Sequence, residues 1–159
     1  MFNNIKILRE GDVDKILNLC RKNILFYQYH PPLATRERII EDMFSLPPGK
    51  ENRDKFYLGI YEGDSLVAVI DFIVDYPKTG VIYIGFFMMD ISYQRKGIAT
   101  KMIGEMVDYF KECGFKKIEL AVDEGNKQSE SFWQKNHFIK TGEKFKNSFS
   151  AYLPMERKI

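Results

Sequence analysis

The sequence predicts an α/β (α+β) fold, with residues 1–159 as one domain built on a mixed, mostly antiparallel sheet of about seven strands flanked by about four helices. Three observations lead there. Apolar residues recur with period two over residues 56–61, 66–76 and 81–90, which is the pattern of strands joined by short turns. The period then changes, because Ile98, Met102, Ile103, Met106, Val107 and Phe110 fall at helical spacing opposite Lys101, Glu105, Asp108 and Lys111. A Val/Leu-bearing run over 117–122 follows, and a strand–helix–strand unit of this length implies one parallel crossover in an otherwise antiparallel sheet.

Each element has a local reason. Residues 5–9 read as a first strand. Asp12 can cap a helix carrying Val13, Ile16, Leu17 and Cys20 on one side. A second helix starts after Thr35, with Ile39, Ile40, Met43 and Phe44 in register. Between these helices, residues 26–32 (Phe-Tyr-Gln-Tyr-His-Pro-Pro) read as an aromatic loop that proline keeps from being helical. Pro47, Pro48 and Gly49 end the helical region, and turns at 62–65 and 76–80 separate the three meander strands. Gly114 stands where a helix C-terminal glycine belongs. Residues 129–136 form a short helix, and 138–145 with 148–157 form a closing hairpin.

Composition narrows the function. Hydrophobic residues make up 45% and charged residues 29%, which is globular rather than disordered. The formal net charge is +2 and the basic residues are dispersed, so the clustered stripe of a nucleic-acid binder is missing and no nucleic-acid partner is expected. Cys20 and Cys113 have neither metal-ligand nor disulfide spacing, and are expected to be buried free thiols in a reducing compartment. No run approaches the ~20 apolar residues that cross a bilayer. A cytoplasmic protein with no membrane partner and no metal is expected.

The stretch Asp90-Ile-Ser-Tyr-Gln-Arg-Lys-Gly-Ile-Ala99 carries the chemistry. A strand ends, a polar turn follows, and a helix opens on small residues at Gly97 and Ala99. The first N–H groups of a helix lack intrahelical acceptors and lie at the positive end of its dipole, so they favour an anion such as phosphate if no side chain blocks the backbone. Arg95 and Lys96 add positive charge at that end.

Gln94-x-x-Gly97-x-Ala99 resembles the (Gln/Arg)-x-x-Gly-x-(Gly/Ala) signature of the GNAT N-acetyltransferase superfamily. Downstream, Asn126-x-x-Ser129-x-x-Phe132-Trp133-x-Lys135-x-His137-Phe138 is similar to that family's second signature block, and the element order agrees over nearly the whole chain. The resemblance implies an acetyl-CoA-dependent enzyme that moves acetyl directly to a primary amine of a small molecule or peptide. Its alternative is a non-catalytic acyl-CoA-binding sensor or assembly module. It implies that the N–H groups of Arg95, Lys96, Gly97, Ile98 and Ala99, with Gln94, wrap the cofactor's pyrophosphate, and that Phe87 and Met89 offer backbone contacts to its pantetheine arm. An N–H in that strand would polarise the thioester carbonyl. Phe132 belongs to the same groove, and Asn126 either points its amide at pantetheine or substrate or caps the following helix.

The chain departs from the family pattern at three positions. Trp133 replaces the tyrosine that often serves as acid, and an indole N–H is no practical proton source. His137 stands in place of a glycine, which suggests an altered helix end, and Tyr83 stands where some members carry a glutamate base. The remaining base candidates are Asp71 and Asp75, whose parity with Val69 and Ile73 on one strand points both to one side. Such a carboxylate either faces the cleft, where burial raises its pKa and it could accept the amine proton or attract a cationic substrate, or faces solvent and does neither. Tyr27, Tyr29 and His30 lie in the region that shapes the acceptor pocket in this superfamily, and the closing hairpin could pair across a two-fold axis to give a homodimer.

Overall fold

The computed structural model describes residues 4–159. β1 (Asn4–Ile7) leads through a single 3₁₀ turn to α1 (Val13–Lys22), α2 (Ile24–Tyr29) and α3 (Arg36–Phe44). β2 (Lys55–Glu62), β3 (Ser65–Val74) and β4 (Val81–Met89) form the meander; α4 (Ile98–Glu112), β5 (Lys117–Asp123) and α5 (Lys127–Lys135) follow. β6 (Ile139–Lys140), β7 (Phe145–Lys146) and β8 (Ala151–Lys158) close the chain. The strands join in the order β1-β2-β3-β4-β5-β8-β6, with β7 also on β8. Only β4–β5 is parallel, the crossover that the change of period predicts. The eighth strand arises because the first arm of the expected hairpin breaks into β6 and β7, both paired to β8.

The sheet buries both faces. On one, Ile70, Ile82, Ile84, Ile118 and Leu120 pack against Met102, Ile103, Val107 and Phe110 of α4. On the other, Tyr57, Val69 and Met88 meet Val13, Ile16, Leu17 and Cys20 of α1 with Ile39 and Met43 of α3. Burial of each such side chain contributes about 1.5–3 kcal/mol, so the two layers fix which strand face looks toward which helices.

Three expectations need correction. The aromatic segment before the prolines is not a loop: Phe26, Tyr27 and Tyr29 lie on α2, which ends as the His30 N–H donates to Phe26 O at 3.0 Å. Pro31 restricts only the residue before it, so it terminates the helix without preventing it. Asp75 does not share the strand face of Asp71, because β3 ends at Val74 and Asp75 has φ 52°. Its carboxylate accepts the Gly80 N–H at 2.7 Å and staples the turn. Cys20 is buried as expected, but Cys113, capping the C-terminus of α4, is exposed.

Candidate acyl-transfer site

Two irregularities in the sheet make the site. β4 and β5 pair only through Val81–Lys117, Ile82–Ile118 and Tyr83–Glu119; beyond these the strands part and leave a gap. Opposite, β4 carries a bulge: Asp71 faces Phe86 while Phe72 faces Ile84, which leaves Gly85 as the extra residue. A Cβ on Gly85 would stand 3.0 Å from Asp71 Oδ2, so glycine there is what lets the carboxylate approach the bulge.

At the open end of the gap, α4 begins. Its first main-chain bond runs from Lys101 N–H to Gly97 O at 3.1 Å, so the N–H groups of Ile98, Ala99 and Thr100 have no intrahelical acceptor. Gly97 (φ 75°) turns the chain into the helix, and a Cβ built on it meets no atom within 4 Å. The residues present therefore fit a diphosphate: bare donors, open approach, and exposed Arg95 and Lys96 alongside. Ile98 and Ala99 pack their side chains on the core and present backbone only. The Gln94 side chain turns inward, donating to Met89 O at 2.8 Å and to Asn23 Oδ1 at 2.8 Å. It ties the loop to the end of β4, and its amide is spent on that task. Met89 is buried and its carbonyl also accepts from Asn23 at 3.2 Å.

The groove wall beyond the gap is aromatic. Phe87 stacks on Phe132 with centroids 5.9 Å apart, and Trp133 packs against Phe87 at 6.0 Å and Phe138 at 5.0 Å. Trp133 is buried, a wall rather than a proton source. Of the two roles open for Asn126, capping is the one observed: its Oδ1 accepts the Ser129 N–H at 3.1 Å. His137 sits just past α5 with φ 66°, the altered helix end that its place in the motif suggests.

The gap opens into a cavity of about 650 Å³ between the sheet and α2–α3. Tyr57, Asp71, Tyr83 and Phe86 line its floor; Tyr27, His30, Arg38 and Asp42 line the opposite side. Tyr29 is not among the lining residues, since its ring packs 3.3 Å from where Gly125 would carry a Cβ.

Asp71 is buried, and its Oδ1 has no hydrogen-bond partner among the described residues. Its Oδ2 lies 3.3 Å from Lys55 Nζ, whose side chain is only 7% exposed. Burial pushes the Asp71 carboxyl up to about 6, against the pull of the Lys55 ammonium. Lys55 also donates to Asp42 O at 2.5 Å and Ser45 O at 2.8 Å. At the mouth, Asp123 at the end of β5 holds His30 Nδ1 at 3.0 Å. Lys55 and Asp123 escape sequence reasoning because only their strand register and a contact spanning 93 residues give them partners.

Groups of His, Cys, Asp and Glu able to hold a metal ion do not occur among the described residues. There, too, no helix is long and apolar enough to cross a membrane.

The sequence profile of the acetyltransferase (GNAT) family matches residues 19–138. By sequence alone no curated relative matches the chain. Among solved structures, an acetyltransferase from Thermus thermophilus superposes with TM-score 0.79 at 14% identity, over 98% of this chain and 96% of the other. The PaiA N-acetyltransferase from Thermoplasma acidophilum, in complex with coenzyme A, gives 0.71 at 18% identity over 98% of each chain. A spermidine N-acetyltransferase from Vibrio cholerae, in complex with CoA and spermine, gives 0.69 at 19% identity over 98% and 94%. At these identities the likeness establishes the fold.

Proposed function

The chain belongs to the GNAT acetyltransferase family, and on that premise we propose that it transfers acetyl from acetyl-CoA directly to a primary amine of a small molecule or peptide, with Asp71 as the proton acceptor. We also take the chain to work as a single domain. The observation that carries this reading is the parting of β4 and β5 beyond Tyr83 and Glu119, which leads from the bare start of α4 into the cavity holding Asp71. The names of two solved neighbours, one with coenzyme A and one with CoA and spermine, support the donor and the amine class.

The residues divide the work as follows. The backbone N–H groups at the start of α4 hold the diphosphate, with Arg95 and Lys96 adding charge. Acetyl-CoA supplies the activated thioester. Main-chain groups on the unpaired edge of β4, around Phe87, line the gap and offer a donor toward the acyl oxygen. Asp71, ionised above pH about 6, takes the proton that the amine must lose. Lys55 holds Oδ2 in place at 3.3 Å.

The reading is tested by following free thiol released from acetyl-CoA with a panel of primary amines. Turnover should appear with wild type and fall by about a hundredfold or more in Asp71→Asn, with CoA binding retained. Thiol release equal in both proteins would remove Asp71 from the role, and no release with any amine would sink the function itself.

A further inference from the structure

Resting on that function, we infer that the acceptor is a primary amine that also carries a free carboxylate, an amino acid in the broad sense. Arg38 reads the carboxylate, and Asp42 draws the ammonium.

The placement of the two follows from how α3 packs. Ile39 and Met43 are buried in the core shared with α1. Arg38 and Asp42, each one residue earlier, therefore share the neighbouring stripe of the helix, and both line the cavity. Four residues of helix set them about 6 Å apart along its axis. The last turn of α3 is fixed, since Lys55 Nζ donates to Asp42 O at 2.5 Å and to Ser45 O at 2.8 Å. The same nitrogen lies 3.3 Å from Asp71 Oδ2. Asp42 is thus tethered beside the carboxylate assigned to proton transfer, and Arg38 stands one helical turn back from it.

The charges that line the cavity divide into spent and free. Lys55 is paired with Asp71, and His30 with Asp123. Arg36, two residues before Arg38 on the same helix, is taken by Asp14 of α1. Outside the helix ladder, the bonds that Arg38 and Asp42 make are main-chain ones: Arg38 N–H donates to Thr35 Oγ1 at 3.2 Å, and Asp42 O accepts from Lys55. Their side chains have no partner among the described residues, not even each other, and both are open to a ligand. Opposite charges four apart on a helix can pair, but a cation preceding an anion is the weaker order. The Arg38 guanidinium therefore keeps its planar fork of N–H donors, which matches a carboxylate through two parallel bonds. An amine with a carboxylate a few bonds away answers both free charges of α3 at once, whereas a purely cationic amine answers Asp42 and leaves Arg38 facing a like charge.

Amino acids and their decarboxylated counterparts isolate the claim. Wild-type protein with saturating acetyl-CoA is given phenylalanine and phenethylamine, leucine and isoamylamine, ornithine and putrescine, and thiol release is followed. A tripeptide amide with a free N-terminus is the peptide arm. In each pair that turns over, the member with the carboxylate should lead in kcat/KM by about tenfold or more, the worth of charge-assisted hydrogen bonds. Arg38→Gln should bring that ratio close to unity, and Arg38→Glu should turn the preference toward putrescine. Asp42→Asn should raise KM for both members of a pair and leave their ratio in place. Calorimetry with the N-acetyl products of the fastest pair, titrated into the protein–CoA complex, reads the carboxylate without an ionising amine. Wild type should bind the acid more tightly by a similar factor, and Arg38→Gln should not. CoA affinity and urea midpoint, measured on each variant, show that it is folded, and the wild-type ratios stand without any variant. A decarboxylated amine that matches or exceeds its amino acid in wild type overturns the inference while leaving acetyl transfer intact. So does a ratio unchanged in folded Arg38→Gln, or turnover confined to the tripeptide amide. No thiol from any amine overturns both.

Discussion

His30 and Asp123 clasp the mouth of the cavity: Nδ1 lies 3.0 and 3.1 Å from the two carboxylate oxygens, joining the end of α2 to the end of β5. The contact crosses the place where β4 and β5 have parted, so it ties α2 to the half of the molecule that carries α5. Asp123 raises the His30 pKa above its usual 6.5, and the partial burial of the ring opposes that shift. A histidine with a raised folded-state pKa stabilises the protein fully below its unfolded value, and the contribution is lost as pH climbs through the folded value. Urea midpoints measured at about pH 5.5 and about pH 8.5 should therefore differ less in His30→Ala than in wild type. The same difference in both proteins would show that the clasp is not ionic.

For Asp71, in its proposed role as proton acceptor, the pH effect should appear in activity. A carboxyl raised to about 6 must lose its proton before it can accept one, so kcat/KM should be low in acid and rise as pH passes about 6. In Asp71→Asn that rising limb should disappear along with most of the rate. A limb that survives the substitution belongs to another group.

Lys55 sets where that limb falls. Its ammonium lowers the Asp71 pKa against burial, so Lys55→Met should move the rising limb to higher pH. It also strands a buried carboxylate, and breaking one partner of a buried pair costs about 3–5 kcal/mol. Chemical denaturation reports that loss, and the pH–rate profile separates it from the electrostatic effect. An unshifted limb in a folded variant would mean that the two charges are not coupled.

Much of this site could be read in the chain and part could not, for identifiable reasons. The helix start at Gly97 is local: a short motif, a change of period and a small residue announce it. The parallel pairing of β4 with β5 follows from the crossover topology, but their parting beyond Tyr83 and Glu119 does not. Parity along a strand counts residues evenly, so it offers Asp71 and Asp75 alike. Parity could not know that the strand stops at Val74 and turns Asp75 into a turn staple for Gly80. Nor could it reveal the bulge at Gly85 that admits the Asp71 carboxylate. Pro31 acts only on the residue before it, so α2 forms ahead of it where the proline pair suggests a loop. The partners Lys55 and Asp123 are set by register and by long-range packing, and neither leaves a trace in local sequence.

Gly97 combines two requirements that one substitution series can divide. Its φ of 75° makes any side chain there strained, and the space around its Cβ position is open in the protein alone. Gly97→Ala should cost about 1 kcal/mol of stability through strain. Gly97→Val adds bulk over the bare N–H groups and should weaken CoA binding by about tenfold or more, as expected where a phosphate needs direct backbone approach. Calorimetry with CoA at fixed ionic strength measures this, and charge reversal at Arg95 and Lys96 should add to the loss. Unchanged affinity across the series would take the diphosphate away from this helix.

His137 marks a cost of a different kind, one unconnected with chemistry. After α5 the Phe138 N–H bonds Trp133 O at 3.0 Å and the His137 N–H bonds Gln134 O at 3.0 Å, the paired closure that requires a left-handed residue between them. His137 fills that place with φ 66°, whereas Gly114 fills the equivalent place after α4 with φ 91°. A histidine tolerates this conformation less well than glycine does, but glycine also loosens the unfolded chain, which offsets part of the gain. His137→Gly should therefore stabilise by about 0.5–1 kcal/mol, seen as a rise in Tm of about 2 °C. The imidazole is exposed and does not line the cavity, so acetyl transfer should keep its wild-type kcat/KM. A drop in activity without a drop in stability would give His137 a role in the reaction that its position does not suggest.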